Sequence, residues 1–152
     1  MKKTTLLLLS VIASSSMPMA GHGESSKAAS HDTARIPAIK LINTTGNHSA
    51  FLKGSIPALE KLPSQQFWIN NATEDWEKSF HPAPRKQYVL TLKGKLKFKV
   101  SDGSTFILSP GTVLLAEDTH GEGHSWEMVE GNEWVRAYLP IINNKDYFIA
   151  DK

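Results

Sequence analysis

The chain contains no cysteine, and this absence removes several kinds of chemistry at once. Without cysteine there is no disulfide, no thiol nucleophile and no residue for a cysteine-linked lipid. The sequence also lacks the Gly-x-Ser-x-Gly elbow that presents a nucleophilic serine in many hydrolases. Hydrolysis through a cysteine or a serine nucleophile is therefore not predicted.

An excess of charge of one sign is also missing. The chain has 17 Lys and Arg residues against 15 Asp and Glu residues, and Lys2 and Lys3 lie in a segment that we expect to be removed. Binding to nucleic acid depends on a dense basic surface, so this balance excludes nucleic acid as a partner. Lysines at 93, 95, 97 and 99 are interpreted as the solvated face of a strand, the alternative being a docking surface for an anionic partner.

No apolar run approaches the roughly 20 residues that a membrane helix needs. The short apolar run 6–13 follows Met1-Lys2-Lys3 and precedes small residues, which predicts a secretory signal peptide over 1–20, cleaved after Ala20 or after Ser16. We expect a secreted or periplasmic protein with no membrane anchor after cleavage. Residues 21–40 are predicted to form a disordered leader, although 36–41 would also suit an edge strand.

The stretch 80–124 carries the clearest structural pattern. Its three apolar runs of strand length are separated by turn signals that contain glycine, namely Lys93-Gly94, Asp102-Gly103 and Pro110-Gly111. In the middle run, Leu96, Phe98 and Val100 alternate with lysines, as in a strand with one buried face and one wet face. The pattern predicts a β-meander.

Two motifs in this stretch resemble those of small single-domain cupins. They are His-Pro-Ala-Pro-Arg-Lys-Gln-Tyr at 81–88 and Glu-Asp-Thr-His-Gly-Glu-Gly-His at 117–124. The resemblance extends weakly from about Leu41 to Pro140 and implies an all-β fold: a cupin-type jelly roll, or double-stranded β-helix barrel, over 41–142. The C-terminal tail 143–152 would dock on the barrel or add a strand to a partner subunit. Cupins frequently pair through a sheet edge, so a homodimer is an expectation too.

The same resemblance implies a metal site. Metal-binding cupins supply two histidines and a glutamate from the first motif and a third histidine from the second, and this chain places His81, Ala83, Gln87 and His124 at those positions. Two of the four family residues are thus replaced. The resemblance implies a divalent transition metal (Fe, Mn, Ni, Cu or Zn) held by His81, Gln87 and His124. The alternative is that these residues satisfy one another by hydrogen bonds in a ligand pocket.

Two charged residues near these motifs have more than one interpretation. Arg85 shares strand parity with 81, 83 and 87, so it would either bind an anionic ligand in the cavity or form an internal ion pair with Glu117 or Asp118. Asp118 would orient His124, replace the missing carboxylate ligand or act as a general base. Its alternative is a turn in which Asp118 accepts backbone N–H groups.

Aromatic residues complete the predicted ligand site. Tyr88 and Trp126, together with Trp68, Trp76 and Tyr138, would line the core or a pocket suited to a ring-bearing ligand. Two hypotheses follow for an exported small-molecule-binding cupin. The first is a metal-dependent oxygenase or isomerase that acts on a small anionic or aromatic compound. The alternative is a non-catalytic cupin with a degenerate metal site, which serves as a binding or interaction module.

Overall fold

The computed structural model describes residues 34–58 and 60–152, and the predicted signal peptide and residues 21–33 lie outside them. Alternating apolar residues build most of the described chain into strands, and the expectation of an all-β fold is confirmed. The only α-helix within these ranges is the short α1 (Asp75–Lys78). The strands are β1 (Arg35–Asn43), β2 (Ser49–Pro57), β3 (Trp68–Asn70), β4 (Gln87–Val100), β5 (Thr105–Leu108), β6 (Val113–Ala116), β7 (His124–Pro140) and β8 (Ile149–Ala150).

The strands pair in the order β3-β7-β4-β6-β1-β2-β8, with β5 added to β4. Strand β1 runs parallel to β6, and the other pairs are antiparallel. Because β1 begins at Arg35, residues 35–40 belong to the sheet and not to a disordered leader. The strand also lies between β6 and β2, so it is not an edge strand.

The dipeptide Lys93-Gly94 was predicted to be a turn between two strands, and this prediction is wrong. Strand β4 continues through it, and its register against β7 shifts between Thr91 and Leu96. Gly94 has φ 96°, a left-handed conformation that glycine adopts without a Cβ clash. The irregularity reverses the inward parity of β4, since Val89 faces the core before it and Leu96 after it.

The predicted β-meander is wrong for a related reason. The turn at Asp102-Gly103 does join β4 to β5 as a hairpin, with Lys99 opposite Thr105. The next strand, β6, pairs instead with the first half of β4, where Tyr88 lies opposite Leu115. The long, bulged β4 therefore pairs with β6 through its first half and with β5 through its second half.

Two apolar clusters lie on opposite faces of this sheet. The larger cluster fills the interior, and Leu96, Phe98 and Leu108 in it are fully buried. The smaller cluster contains Tyr88 and Leu115 on the outer face. It is covered by the partly buried side chains Leu62, Ile141 and Phe148. With both faces of its central strands buried, the sheet belongs to the barrel or sandwich class.

The C-terminal tail docks on its own chain, one of its two predicted arrangements. Strand β8 pairs with β2, and Gly54 lies opposite Ala150. Gly54 is required at this point, because a Cβ there would lie 2.2 Å from the carbonyl oxygen of Ile149. Lys40 of β1 contacts Asp146 in the tail and Glu117, whose carboxylate is 3.3 Å away. Backbone pairing and charge therefore both hold the tail in place.

The lysine stripe is compensated by glutamates on the neighbouring strand. Ion pairs across β4 and β7 join Lys93 to Glu133 at 2.6 Å, Lys95 to Glu130 at 3.5 Å and Lys97 to Glu127 at 3.4 Å. This pairing favours the interpretation of the stripe as a solvated face. In the part of the chain that the structure describes, no helix has the length and apolarity needed to cross a membrane.

Candidate functional site

A cavity of about 300 Å³ opens between α1, β3, β4, β6 and β7. All four tryptophans of the chain line it, with other aromatic and apolar side chains and a few polar ones. The lining side chains are mostly apolar, as is usual for small-molecule pockets. The aromatic lining consists of Trp68, Trp76, Phe98, Trp126, Trp134 and Tyr138, and the polar lining of Asn70, Glu77, His81, Gln87 and His124.

The backbone brings His81 and His124 together. The N–H of each residue donates to the carbonyl oxygen of the other, at 2.9 and 3.0 Å, and the two ring centroids are 4.8 Å apart. Gly123 allows this approach, since a Cβ on it would lie 2.0 Å from the carbonyl oxygen of His81. We expected both imidazoles to face one interior cavity, and both residues line it.

Hydrogen bonds fix which nitrogen of each imidazole carries the hydrogen. The Nδ1 of His81 donates to the carbonyl oxygen of Ser79 at 2.8 Å, and the Nδ1 of His124 donates to Oδ2 of Asp118 at 2.7 Å. These oxygens can only accept, so each Nδ1 carries a hydrogen and the Nε2 of each neutral ring keeps its lone pair. Burial lowers the pKa of His81, which favours the neutral form of that ring.

Gln87 adds a third acceptor beside the two imidazoles. Its side chain is buried at the start of β4, and its Oε1 has no hydrogen-bond partner among the described residues. Gln87 lines the same cavity as His81 and His124. We call these three residues the acceptor triad, because their Nε2, Nε2 and Oε1 atoms are the groups left without donors.

Asp118 lies behind His124 and does not line the cavity. It is fully buried, and its Oδ2 orients the imidazole, as one of its predicted roles requires. The alternative turn interpretation is wrong for its side chain, because its Oδ1 has no partner among the described residues and accepts no backbone N–H. Because Asp118 lies behind the His124 ring, it is not placed to replace the missing carboxylate ligand of a metal.

Of the four residues predicted to bind the ligand, Arg85, Tyr88 and Asp118 do not line the cavity. Arg85 is exposed, and its guanidinium carbon lies 5.2 Å from the centroid of the Trp68 ring. The chain bends at 84–86, which breaks the strand parity on which its prediction rested. Its predicted ion pair is also absent within the described chain, where Glu117 pairs with Lys40 and Lys86. Trp126, by contrast, does line the cavity.

Tyr88 points away from the cavity into the outer apolar cluster. Its hydroxyl donates to the backbone oxygen of Asp146 at 2.7 Å, and burial raises its pKa. Successive residues of a strand face opposite sides of the sheet, so the inward position of Gln87 requires the outward position of Tyr88. Tyr88 therefore helps to hold the C-terminal tail instead of a ligand.

A buried ion pair between Arg136 and Glu77 was not predicted. Arg136 is fully buried, and its guanidinium lies 3.0 Å from the Glu77 carboxylate of α1. The same guanidinium donates to the backbone oxygens of Trp134 and Ala72, both at 3.0 Å. The parity of Arg136, shared with Trp134 and Tyr138 on one strand, is the sequence signal that would have indicated an inward charge.

The acceptor triad provides three side chains of two types, imidazole and amide, that a divalent transition metal accepts as ligands. The two imidazoles and the amide line one cavity, and Asp118 and the Ser79 carbonyl orient the rings through their Nδ1 atoms. Within 34–58 and 60–152, no group of three His, Cys, Asp or Glu side chains is arranged to hold a metal. Any metal here would therefore depend on the neutral Gln87 as its third ligand.

The fold and the pocket define an all-β protein of the barrel or sandwich class with an aromatic cavity. A scan against protein-family models finds no match for this chain, and a search of curated proteins finds none. The geometry of the cavity therefore has to support any functional conclusion.

Proposed function

We propose that this chain is an exported cupin-type protein that binds a small ring-bearing molecule in the aromatic cavity. One observation carries the proposal: all four tryptophans, with Tyr138 and Phe98, surround the cavity of about 300 Å³. A cavity of about 150 Å³ already accepts benzene, so this one has room for a ring with substituents. Flat aromatic walls contact a ring by stacking and edge-to-face packing.

An aromatic ligand is favoured over an anionic one by the charges around the cavity. Arg85 lies outside it, and the Arg136 charge is already neutralised by Glu77. Within the described residues, the cavity lining contains no Lys or Arg. A carboxylate or phosphate would thus enter without a partner for its charge, which is costly in a desolvated site.

Intrinsic fluorescence tests the proposal directly, because every tryptophan of the chain lines the cavity. Titration with a panel of small aromatic compounds should change the emission saturably, while acyclic compounds of equal size should not. Ala83→Leu should abolish the change by filling the cavity, since Ala83 is a buried lining residue. Ala150→Leu, at an exposed position of β8, is the matched control. Failure of every ring compound to bind the wild-type protein would refute the proposal.

A metal-dependent oxygenase or isomerase is the second candidate, and the orientation of the two imidazoles favours it. His81, Gln87 and His124 would hold the ion, which would supply Lewis-acid or redox chemistry next to the aromatic walls. Metal analysis of the purified mature protein tests this, with His81→Ala and His124→Ala as variants. Stoichiometric metal that is lost in both variants supports the enzyme. Its absence from every preparation leaves the non-catalytic binding protein.

A further inference from the structure

The acceptor triad lacks hydrogen-bond donors, and this imbalance constrains what the cavity binds. No hydrogen bond from the described chain reaches the Nε2 of His81, the Nε2 of His124 or the Oε1 of Gln87. The opposite ring nitrogen of each histidine is already engaged, at 2.8 Å with Ser79 and at 2.7 Å with Asp118. The three acceptors therefore line one cavity, and no described side chain donates to them.

The nearby arginine does not supply the missing donors. The guanidinium of Arg136 donates to Glu77, to the backbone oxygens of Ala72 and Trp134, and to the hydroxyl of Tyr138. The indole N–H of Trp134 is also occupied, since it donates to the Thr91 hydroxyl at 3.1 Å. A buried acceptor without a donor, such as the Oε1 of Gln87, is destabilising. A ligand that brings donors to this place would relieve that destabilisation.

We propose that the cavity recognises a ring that carries adjacent hydroxyl groups, a catechol-type ligand, through hydroxyl donation to the acceptor triad. This inference rests on the proposed binding of a ring-bearing molecule and specifies its chemical class. The aromatic side chains contact the faces and edges of the ring. The two hydroxyl hydrogens donate to acceptors of the triad formed by His81, His124 and Gln87, so that the ring and its donors are recognised by separate parts of one cavity.

Neutral hydroxyl donors suit this site better than an ammonium group does. The cavity wall around His81 is largely aromatic and apolar, so a charged group would lose its hydration there without gaining a free counter-charge. The Glu77 carboxylate, the acidic group of the lining, is held by Arg136 and is not free to pair with a ligand cation. A phenolic hydroxyl donates a hydrogen without bringing a charge into this environment.

A matched ligand series tests the inference on the mature protein after removal of metal with a chelator. Catechol and 1,2-dimethoxybenzene have the same ring and the same oxygens, but methylation removes both donors. We expect catechol to bind at least about fivefold more tightly, because recovery of one unsatisfied acceptor is worth about that factor or more. Phenol, with one donor, should fall between catechol and its dimethyl ether. Benzylamine, as an ammonium probe, should bind more weakly than catechol.

Variants locate the discrimination at the acceptor triad. Gln87→Leu should reduce the preference for catechol over 1,2-dimethoxybenzene several-fold while the dimethyl ether still binds. Gln65→Leu makes the same chemical change at an exposed position and should leave the preference unchanged. If Gln87→Leu does not fold, Gln87→Met removes the same amide with a more flexible side chain.

Each other outcome has a separate meaning. Equal affinity for catechol and 1,2-dimethoxybenzene overturns donor recognition but leaves the aromatic cavity as a ring-binding site. Tighter binding of benzylamine assigns the triad to an ammonium and also overturns the catechol inference. Discrimination that appears only after Zn²⁺ is added assigns the three acceptors to a metal and overturns their direct role. Absence of binding by every ring overturns the proposed function itself.

Discussion

Gln87 is a residue at which folding and binding make opposite demands. Its side chain is only 4% exposed, yet its Oε1 finds no donor among the described residues. Folding would be served by an apolar side chain of similar size, because a buried acceptor without a partner is destabilising. The amide is explained if the cavity needs an acceptor for a ligand or a metal.

Replacement of Gln87 by leucine should therefore stabilise the empty protein. We expect the free energy of unfolding to rise by about 1 kcal/mol, because the unsatisfied acceptor is removed from the interior. Urea denaturation measures the change. Gln65→Leu should alter stability by less than about 0.5 kcal/mol, as surface substitutions usually do. A clear loss of stability in Gln87→Leu would show that the amide has a structural partner.

Gly123 is a second residue whose identity follows from the approach of His81. Its φ is 71°, and a Cβ would meet the His81 carbonyl oxygen at 2.0 Å. Gly123→Ala should lower the free energy of unfolding by more than about 2 kcal/mol, through backbone strain together with a clash. It should also weaken ligand binding by separating the imidazoles. Thermal unfolding and the fluorescence titration measure the two effects.

Gly103 provides the control for Gly123→Ala. It has a comparable φ of 89°, but a Cβ there would meet nothing within 4 Å. Gly103→Ala therefore carries the left-handed strain alone, about 1–2 kcal/mol. Equal losses in the two variants would contradict the argument that close contact with His81 makes Gly123 necessary.

At the scale of elements, α1 is too short to be stable by itself. A helix of four residues cannot recover the cost of its own nucleation, so its position depends on tertiary contacts. The contact that fixes it is the ion pair of Glu77 with the buried Arg136, whose guanidinium also donates to the backbone oxygen of Ala72. This helix supplies Trp76 and Glu77 to the cavity, so the ion pair determines the shape of that wall.

Glu77→Ala should detach α1 from the sheet and leave the Arg136 charge buried without a carboxylate. Breaking a buried pair from one side costs about 3 kcal/mol, which urea denaturation can resolve. Asp75→Ala removes an exposed carboxylate from the same helix, paired only with Lys78 at 3.6 Å, and should leave the stability unchanged. A similar effect of both substitutions would mean that helix charge, and not the buried pair, holds α1.

At the scale of the whole molecule, a charge cluster ties the C-terminal tail to the rolled sheet. Lys40 stands between Glu117 and Asp146, and the tail covers the outer apolar cluster. Burial raises the pKa of Glu117, and its hydrogen bond with Asp146 raises it further. Although burial opposes it, the hydrogen bond from Lys40 helps to hold the pKa of Asp146 below its ordinary value.

Lys40→Met should destabilise the protein more at pH 7 than at pH 5. The lowered pKa of Asp146 means that its contribution to stability is present above its unfolded pKa and is lost as the pH falls through the folded one. Removal of Lys40 abolishes that contribution and raises both carboxyl pKa values, so the folded variant loses stability as the pH rises. Urea denaturation at the two pH values measures this. Lys53→Met, at an exposed position of β2, should show no such difference.

Local patterns were sufficient for the parts of this protein that depend on neighbours in the chain. Alternation gave the buried face of Leu96, Phe98 and Val100, and the Asp-Gly signal located the hairpin at 102–103. The motif resemblance also indicated that His81 and His124 share an interior cavity. These features were predictable because strand parity and turn conformation are set within a few residues.

The rest was decided by contacts between distant segments. The bulge at Gly94 reverses the parity of β4, so that Val89 and Leu96 both face the core. The bend at 84–86 turns Arg85 outward, so parity counted along the chain gave the wrong face for it. Arg136 meets Glu77 across 59 positions of sequence, a contact that exists only once β7 and α1 are packed together. A buried charge is stabilised by partners that the topology delivers, and no local pattern names those partners.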